Sequence, residues 1–234
     1  MTEPAGAAPG RLIGQGRAAD VYDIGGGRVL RRNRNGASTE LEARVMRHVH
    51  ALGFPVPEVH DAADGDLVME RLDGPTMLGA FEAQPWRIRR FVDDLADLHL
   101  RLEGLALPDF PLPERPGPCD AILHGDLHPD NVILTERGPV VIDWPNAAIG
   151  PRGMDAATTW VLVASSELEG GRITRAVQSA GRAYFVRRFL ARCDRPRLEP
   201  LLPAAAAHRL RDPNVRPQEA EAIHRLVERE ASAR

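Results

Sequence analysis

Alternating apolar and polar residues dominate the first third of the chain and predict short strands. Three consecutive glycines at 25–27 predict a tight hairpin turn, and residues 63–65 predict a second turn. Because each turn joins neighbouring segments, these strands are expected to form one small antiparallel sheet. The predicted strands are 11–15, 21–25, 28–32, 59–61 and 66–70.

Helical spacing of apolar residues marks one helix inside this region and most of the chain beyond it. The first helix spans 39–52, with Ser38 or Thr39 as its cap. Its predicted buried stripe is Leu41, Val45, Met46 and Val49. The other predicted helices are 86–103, 155–167, 173–192, 198–211 and 218–230. Two apolar strands at 131–135 and 140–143 form a predicted hairpin within this helical part.

The amino-acid composition excludes several reaction mechanisms and kinds of site. The chain has 234 residues, a net charge of −3 and 30 basic residues, every one of which is arginine. Without lysine, neither a Walker-type phosphate loop nor a Schiff-base mechanism is available. Cys119 and Cys193 lie in no metal-ligand pattern, which indicates free thiols in a reducing compartment. With no secretory signal and no long apolar run, we expect a cytoplasmic protein without nucleic-acid or membrane partners.

The strongest chemical signal is HGDLHPDN at residues 124–131, immediately before the predicted hairpin. The second hairpin strand ends in Asp143, so Asp126, Asn131 and Asp143 flank one hairpin and are expected to converge. Two carboxylates and an amide oxygen suit Mg²⁺, and a carboxylate that accepts a hydroxyl proton suits phosphoryl transfer. The alternative is that these residues only form turns and caps.

HGDLHPDN followed by VVIDW resembles the aminoglycoside phosphotransferase/choline kinase-like family, relatives of protein kinases in fold. The resemblance implies an α+β, bilobal, protein-kinase-like fold. A small antiparallel-sheet nucleotide-binding lobe would span 1–71, and a larger helical lobe with catalytic loop and acceptor site 72–234. It also implies that Asp126 is the catalytic base, Asn131 a metal ligand and Asp143 the principal metal ligand.

The same resemblance extends to the N-terminal part. Gly14 and Gly16, in the segment GQGRAADV, are similar to the kinase Gly-rich loop that covers phosphates, with Ala19 in place of the third glycine. In LVMERLDG, the resemblance implies a hinge: Met69 beside the adenine pocket, and the backbone of Glu70 and Leu72 bonding the base.

Arginine stands where the family has a strand lysine. The resemblance implies that Arg31 contacts the nucleotide phosphates and pairs with Glu42, which places both in the catalytic group. Arg32 and Glu40 are the fallback assignments, and a solvated edge-strand charge is the alternative for Arg31. Arginine keeps its charge and binds phosphate with a planar fork, although its reach differs from that of lysine.

Three further residues are predicted to act on the loop of residues 124–131. Asp155 either braces the catalytic loop, as the resemblance implies, or caps a helix. His124 and His128 are interpreted as shaping the loop, with a phosphate or substrate contact of His128 left open.

These observations favour a phosphotransferase that uses ATP or GTP with Mg²⁺ and acts on a hydroxyl of a small molecule. Residues 171–234 hold 14 arginines against 7 acids, which disfavours a polycationic acceptor, although Glu167 or Glu169 could override that average. A nucleotide-binding pseudokinase or regulatory module is the alternative, and AMP transfer by the same site is a third reading.

Overall fold

A computed structural model describes residues 10–16, 18–167 and 171–232. Arg17 of the Gly-rich segment and Glu169 lie outside the described residues. The strands are β1 (Arg11–Gln15), β2 (Ala19–Gly25), β3 (Arg28–Asn33), β4 (Val59–Ala63), β5 (Asp66–Glu70), β6 (Ala121–Leu123), β7 (Val132–Thr135), β8 (Gly138–Val141) and β9 (Ala148–Gly150). The helices are α1 (Glu40–Ala51), α2 (Met77–Ala83), α3 (Ile88–Glu103), α4 (Met154–Ser165), α5 (Arg172–Arg192), α6 (Arg195–Leu198), α7 (Leu202–Arg209) and α8 (Pro217–Ser232).

The chain divides into two compact units. The N-terminal unit comprises residues up to 74 together with 133–145, and the C-terminal unit comprises 75–132 together with 146–234. The β7–β8 hairpin therefore belongs, apart from its first residue, with the N-terminal sheet.

The N-terminal unit is built on a five-stranded antiparallel sheet of order β1-β2-β3-β5-β4. All five predicted strands are confirmed. The turn between β2 and β3 is also confirmed, because Gly25, Gly26 and Gly27 adopt φ of 78°, 61° and 71°, a region that favours glycine. Alternation along β3 buries Val29 and Arg31 on one face of the sheet.

Helix α1 departs from its predicted stripe. Leu41 is 38% exposed, whereas Ala43, Val45, Met46 and Val49 are buried. Glu42 is buried in its place. The prediction was wrong at Leu41 because that residue lies roughly 100° around the helix from Glu42, away from the packed face. The side chain of Thr39 does not cap α1 but donates to the Asp66 carbonyl at 2.7 Å.

The C-terminal unit is mainly helical. α3 buries an apolar face that includes Phe91, Val92, Leu95, Leu98 and Leu102. α4 is mostly buried and packs against α5, α7 and α8. The predicted helix 198–211 is interrupted: α6 gives way to a 3₁₀ turn, Glu199–Leu201, before α7 begins. Pro196, Pro200 and Pro203 explain the break, since proline has no N–H to continue a helical ladder.

Four elements of the C-terminal unit were not predicted. They are α2, the four-residue helix α6, and the three-residue strands β6 and β9, which pair antiparallel. Three residues are too few for a period of two to stand out. No helix within the described residues has the length and apolarity that a membrane crossing requires.

Candidate active site

Three charged side chains meet in the N-terminal unit. Arg31 of β3 donates through Nη2 to Glu42 of α1, and through Nη1 to Oδ1 of Asp143 at 3.1 Å. The backbone N–H of Trp144 donates to the second oxygen of Glu42 at 3.2 Å. These bonds tie β3, α1 and the segment after β8 into one charged group. Within the described residues, Nε of Arg31 is buried without a hydrogen-bond partner.

Burial governs the electrostatics of this group. The side chains of Arg31 and Glu42 are only 11% and 6% exposed. Burial raises the pKa of Glu42, the charge of Arg31 opposes that change, and the Asp143 carboxylate adds to it. The Arg31 guanidinium is therefore shared between two carboxylates.

The fallback residues occupy different places. Arg32 forms two hydrogen bonds with Asp66, at 2.7 Å and 2.6 Å, and its side chain is 43% exposed. Glu40 is exposed. The structure thus brings Arg31 together with Glu42, and neither fallback residue joins them.

Asp143 lies two residues beyond β8 rather than at the end of the predicted strand. Its φ of 68° is left-handed, a conformation that aspartate tolerates better than most residues. Trp144 anchors the segment: its ring is buried, packs edge-to-face on Phe54, and donates from Nε1 to the Val141 carbonyl at 3.2 Å. This anchoring holds the Asp143 carboxylate, which is half exposed, beside Arg31.

Asp155 holds the loop of the C-terminal unit that contains His124, Gly125 and Asp126, here called the HGD loop. Its two carboxylate oxygens accept the backbone N–H groups of His124, at 2.6 Å, and Gly125, at 3.0 Å. Burial raises the pKa of Asp155 to about 6. Gly125 has a φ of 83°, and a Cβ there would stand 2.5 Å from the Asn146 carbonyl oxygen. Of the two readings of Asp155, the structure therefore supports the brace.

Asp126 and Asn131 lie together in this unit. Nδ2 of Asn131 donates to the Asp126 carbonyl at 2.9 Å and lies 3.4 Å from Oδ2 of the same residue. Nε2 of His128 lies 3.5 Å from that Oδ2, and Nδ1 of His124 accepts the N–H of Asp126 at 3.2 Å. Both histidines thus shape the loop through direct contacts with Asp126.

The surroundings of Asp126 keep its carboxylate ionised. Burial, the largest single influence, favours the neutral acid, but the hydrogen bond and charge of His128 together with the other nearby charges lower the pKa overall. His124 and Arg209 act in the same direction. Asp126 is therefore a charged hydrogen-bond acceptor at neutral pH.

The side-chain oxygens of Asn131 and Asp143 are of the type that binds a hard cation, one that takes most of its ligands from water and substrate. Among the described residues, no three His, Cys, Asp or Glu side chains are grouped to hold a metal ion by themselves. Mg²⁺ needs only one or two protein oxygens, since it retains water and substrate phosphates. The described residues donate no hydrogen bond to Oδ1 of Asn131, and the half-exposed Asp143 carboxylate offers the same type of ligand.

The remaining predicted residues lie in the N-terminal sheet. Gly14 sits at a register shift of β1, and the N–H of Gly16 donates to the Ala19 carbonyl at 2.8 Å. Met69 and Glu70 end β5, and Leu72 follows it, half-buried. Their roles toward a nucleotide stay predictions, as does the convergence of Asp126 and Asn131 with Asp143.

The family comparison decides the class of protein. The model of the phosphotransferase enzyme family (APH) matches residues 9–119 and 112–201. The chain belongs to this family. The resemblance read from HGDLHPDN and VVIDW is thereby confirmed, and the protein is a phosphotransferase. No sequence among curated proteins matches it.

Solved structures share the fold of this phosphotransferase. A thermostable variant of aminoglycoside phosphotransferase APH(4)-Ia, in a ternary complex with AMP-PNP and hygromycin B, is 18% identical with a TM-score of 0.64, over 95% of this chain and 94% of the other. ADP-bound aminoglycoside phosphotransferase APH(2'')-Ib is 11% identical with a TM-score of 0.57, over 93% and 91%. Aminoglycoside-3'-phosphotransferase of type VIII is 19% identical with a TM-score of 0.52, over 98% and 92%.

These likenesses confirm the predicted fold class. The phosphotransferase has the antiparallel N-terminal sheet and the helical C-terminal part of a protein-kinase-like fold. Two contributors to its site escaped the sequence analysis: Trp144 as donor to Glu42, and Arg209 as a charge acting on Asp126. Neither carries a sequence signal, since both act through contacts that only folding creates.

Proposed function

We propose that this phosphotransferase moves the γ-phosphoryl group of ATP to a hydroxyl of a small molecule. The acceptor oxygen forms a bond to the γ-phosphorus while the bond to the β–γ bridging oxygen breaks and ADP leaves. Asp126 orients the hydroxyl and takes its proton. The observation that carries the proposal is the accessible Asp126 carboxylate, placed in a loop whose backbone N–H groups are held by Asp155.

Asn131 and Asp143 are the proposed magnesium ligands. The bound cation would neutralise charge on the phosphates during transfer. Asn131 suits this role because its amide nitrogen is already occupied by Asp126, which orients the oxygen for a ligand. Asp143 suits it because its carboxylate is half exposed and charged.

The N-terminal unit supplies the proposed nucleotide contacts. Arg31, held by Glu42, binds phosphate oxygens in place of lysine, and the backbone around Gly14 and Gly16 lies along the phosphates. The base is held by the backbone of Glu70 and Leu72, with Met69 beside it. ATP or GTP fits these contacts. AMP-PNP and ADP complexes of structural neighbours support a nucleotide donor.

The test is substitution of the base. Asp126→Ala should lower kcat about 10²–10⁴-fold, the usual contribution of a positioned base, without changing nucleotide affinity. A metabolite pool incubated with ATP and Mg²⁺, and read by mass spectrometry for a gain of one phosphate, supplies the acceptor. ADP release with that acceptor then gives the rates. Full activity in Asp126→Ala would contradict the assignment.

A second candidate is a regulatory module that binds nucleotide without transfer. The contact between Arg31 and Asp143 favours it, since a guanidinium on the proposed metal ligand competes with the cation. Nucleotide binding by thermal shift, with and without Mg²⁺, distinguishes the two. Binding without phosphate gain in any metabolite would favour the module.

A further inference from the structure

A small cavity of the C-terminal unit lies beside the loop that carries Asp126. Its volume is about 150 Å³, and it is lined by Gly125 of the loop and by Asp155, the residue that braces the loop. The other polar side chains of its wall are Thr158, whose hydroxyl donates to the Met154 carbonyl, and Arg115, His208 and Arg211. None of these four side chains has a part in the chemistry described above.

Two arginines converge on one imidazole in this wall. Nη1 of Arg115 and Nη2 of Arg211 each lie 3.5 Å from Nδ1 of His208. An arginine only donates, so a hydrogen bond here requires Nδ1 of His208 to accept, which is the neutral tautomer with its proton on Nε2. Two guanidinium charges therefore approach the same nitrogen and repel each other. The buried Asp155 carboxylate of the cavity wall interacts with Arg115 but forms no ion pair with it, and Arg211 has no carboxylate partner among the described residues.

Two neighbouring arginines of the same region pair with carboxylates. Arg209 pairs with Asp212 and Glu219, and Arg195 pairs with Glu199 and Glu230. By contrast, Arg115 and Arg211 form no ion pair with any carboxylate of the described chain. Arg115 and Arg211 thus bring two positive charges, without an ion pair in the described part of the chain, to this one cavity.

Electrostatic coupling connects the cavity to Asp126. Burial lowers the pKa of His208, the charges of Arg115 and Arg211 lower it further, and Asp126 acts in the opposite direction. His208 is hence near enough to feel the charge of the proposed base. The cavity has room for about five water molecules at ~30 Å³ each, which matches one anionic head group rather than an entire drug-sized ligand.

We propose that the acceptor of this phosphotransferase is an alcohol with a carboxylate or phosphate group that binds Arg115 and Arg211 in this cavity and presents its hydroxyl to Asp126. The inference rests on the proposed function and adds the substrate class. Charge-assisted hydrogen bonds from two arginines give the anionic end both affinity and orientation. The hydroxyl proton passes to Asp126 as the new oxygen–phosphorus bond forms.

The first experiment measures anion binding without turnover. Inorganic phosphate is titrated into the full chain with ADP and Mg²⁺ at saturation, so that the nucleotide site is occupied, and thermal stability is recorded. Wild type and Arg47→Gln, which removes an exposed arginine of α1, should be stabilised alike. Arg211→Gln, also at an exposed residue, should weaken phosphate binding about tenfold or more. Equal stabilisation of all three proteins would overturn the anion site.

The second experiment measures the acceptor preference. Hydroxy acids, their neutral amides, and phosphate monoesters of diols are compared as matched acceptors. Anionic members should have a kcat/KM at least tenfold above the amides, and Arg211→Gln should reduce that ratio mainly through KM. The carboxylate and phosphate series separately identify which anion is used.

The outcomes separate this inference from the proposed function. Transfer to neutral alcohols with no effect of Arg211→Gln would refute the substrate class and leave the kinase assignment standing. Phosphate binding that depends on Arg211, without transfer to any acceptor, would refute the kinase assignment while supporting the anion site. Arg115→Gln provides the second variant, and far-UV circular dichroism verifies that each variant is folded.

Discussion

Asp155 offers the sharpest test of how the HGD loop is held. Its buried carboxylate accepts two backbone N–H groups, from His124 at 2.6 Å and Gly125 at 3.0 Å. Asp155→Ala removes both acceptors. Asp155→Asn keeps one oxygen but turns an NH₂ group toward the other N–H, so one donor loses its partner.

The magnitude follows from these two bonds. A buried donor left without a partner costs about 1–3 kcal/mol. Asp155→Asn should therefore destabilise the protein by about 1–3 kcal/mol and Asp155→Ala by about 2–6 kcal/mol. For a chain of this length, each kcal/mol lowers Tm by roughly 2–4 °C. The alanine variant should consequently unfold at least ~4 °C below wild type.

Activity should fall together with stability. The loop carries Asp126 immediately after Gly125, so a small displacement misplaces the base, and a misplacement of about 1 Å can cost on the order of 10²-fold in rate. Thermal unfolding followed by circular dichroism and kcat from ADP release measure the two effects. Asp109→Asn is the matched control, because Asp109 is exposed and should tolerate the change. If Asp155→Ala unfolded at the temperature of that control, the two hydrogen bonds of Asp155 would contribute nothing to stability and the reasoning would be refuted.

Two further predictions concern His99 and Gly125 of the same unit. Burial lowers the pKa of His99 to about 3. Below pH ~6.5 His99 is therefore protonated in the unfolded chain but stays neutral in the folded protein. The free energy of unfolding consequently falls as the pH drops from ~6.5 toward 3. Between pH 7 and 5 urea unfolding should show a loss about 2 kcal/mol larger in wild type than in His99→Leu; equal losses would exclude His99 as the cause. Gly125→Ala combines a left-handed φ of 83° with a Cβ 2.5 Å from the Asn146 carbonyl oxygen, and should cost about 2–4 kcal/mol in the same assay. Gly171→Ala, with nothing within 4 Å, is its control, and equal stabilities of the two variants would contradict the clash.

Local sequence patterns were sufficient to predict many elements of this phosphotransferase. The five strands of the N-terminal sheet, the glycine turn and the long helix α3 follow from periodicity and turn chemistry, which act over a few residues. The family could be recognised from HGDLHPDN and VVIDW, because those segments are contiguous in sequence.

The burial of a charged residue in α1 depends on partners from distant parts of the chain. An apolar count favoured Leu41 for the core of α1, yet Glu42 is buried because Arg31 and the N–H of Trp144 satisfy it. Those partners are 11 and 102 residues away in sequence. A carboxylate can be buried only where such partners exist, so no local pattern predicts its position.

Most element types, the family and the candidate site residues could be predicted from the order of amino acids alone. Folding was needed to show that Asp143 takes a left-handed backbone beside Arg31, that Asp155 holds the loop of Asp126, and that Arg115 and Arg211 converge on His208. The reason is physical: periodicity reports which side of an element is apolar, whereas pairing of charges depends on which distant segments folding brings within a few ångströms.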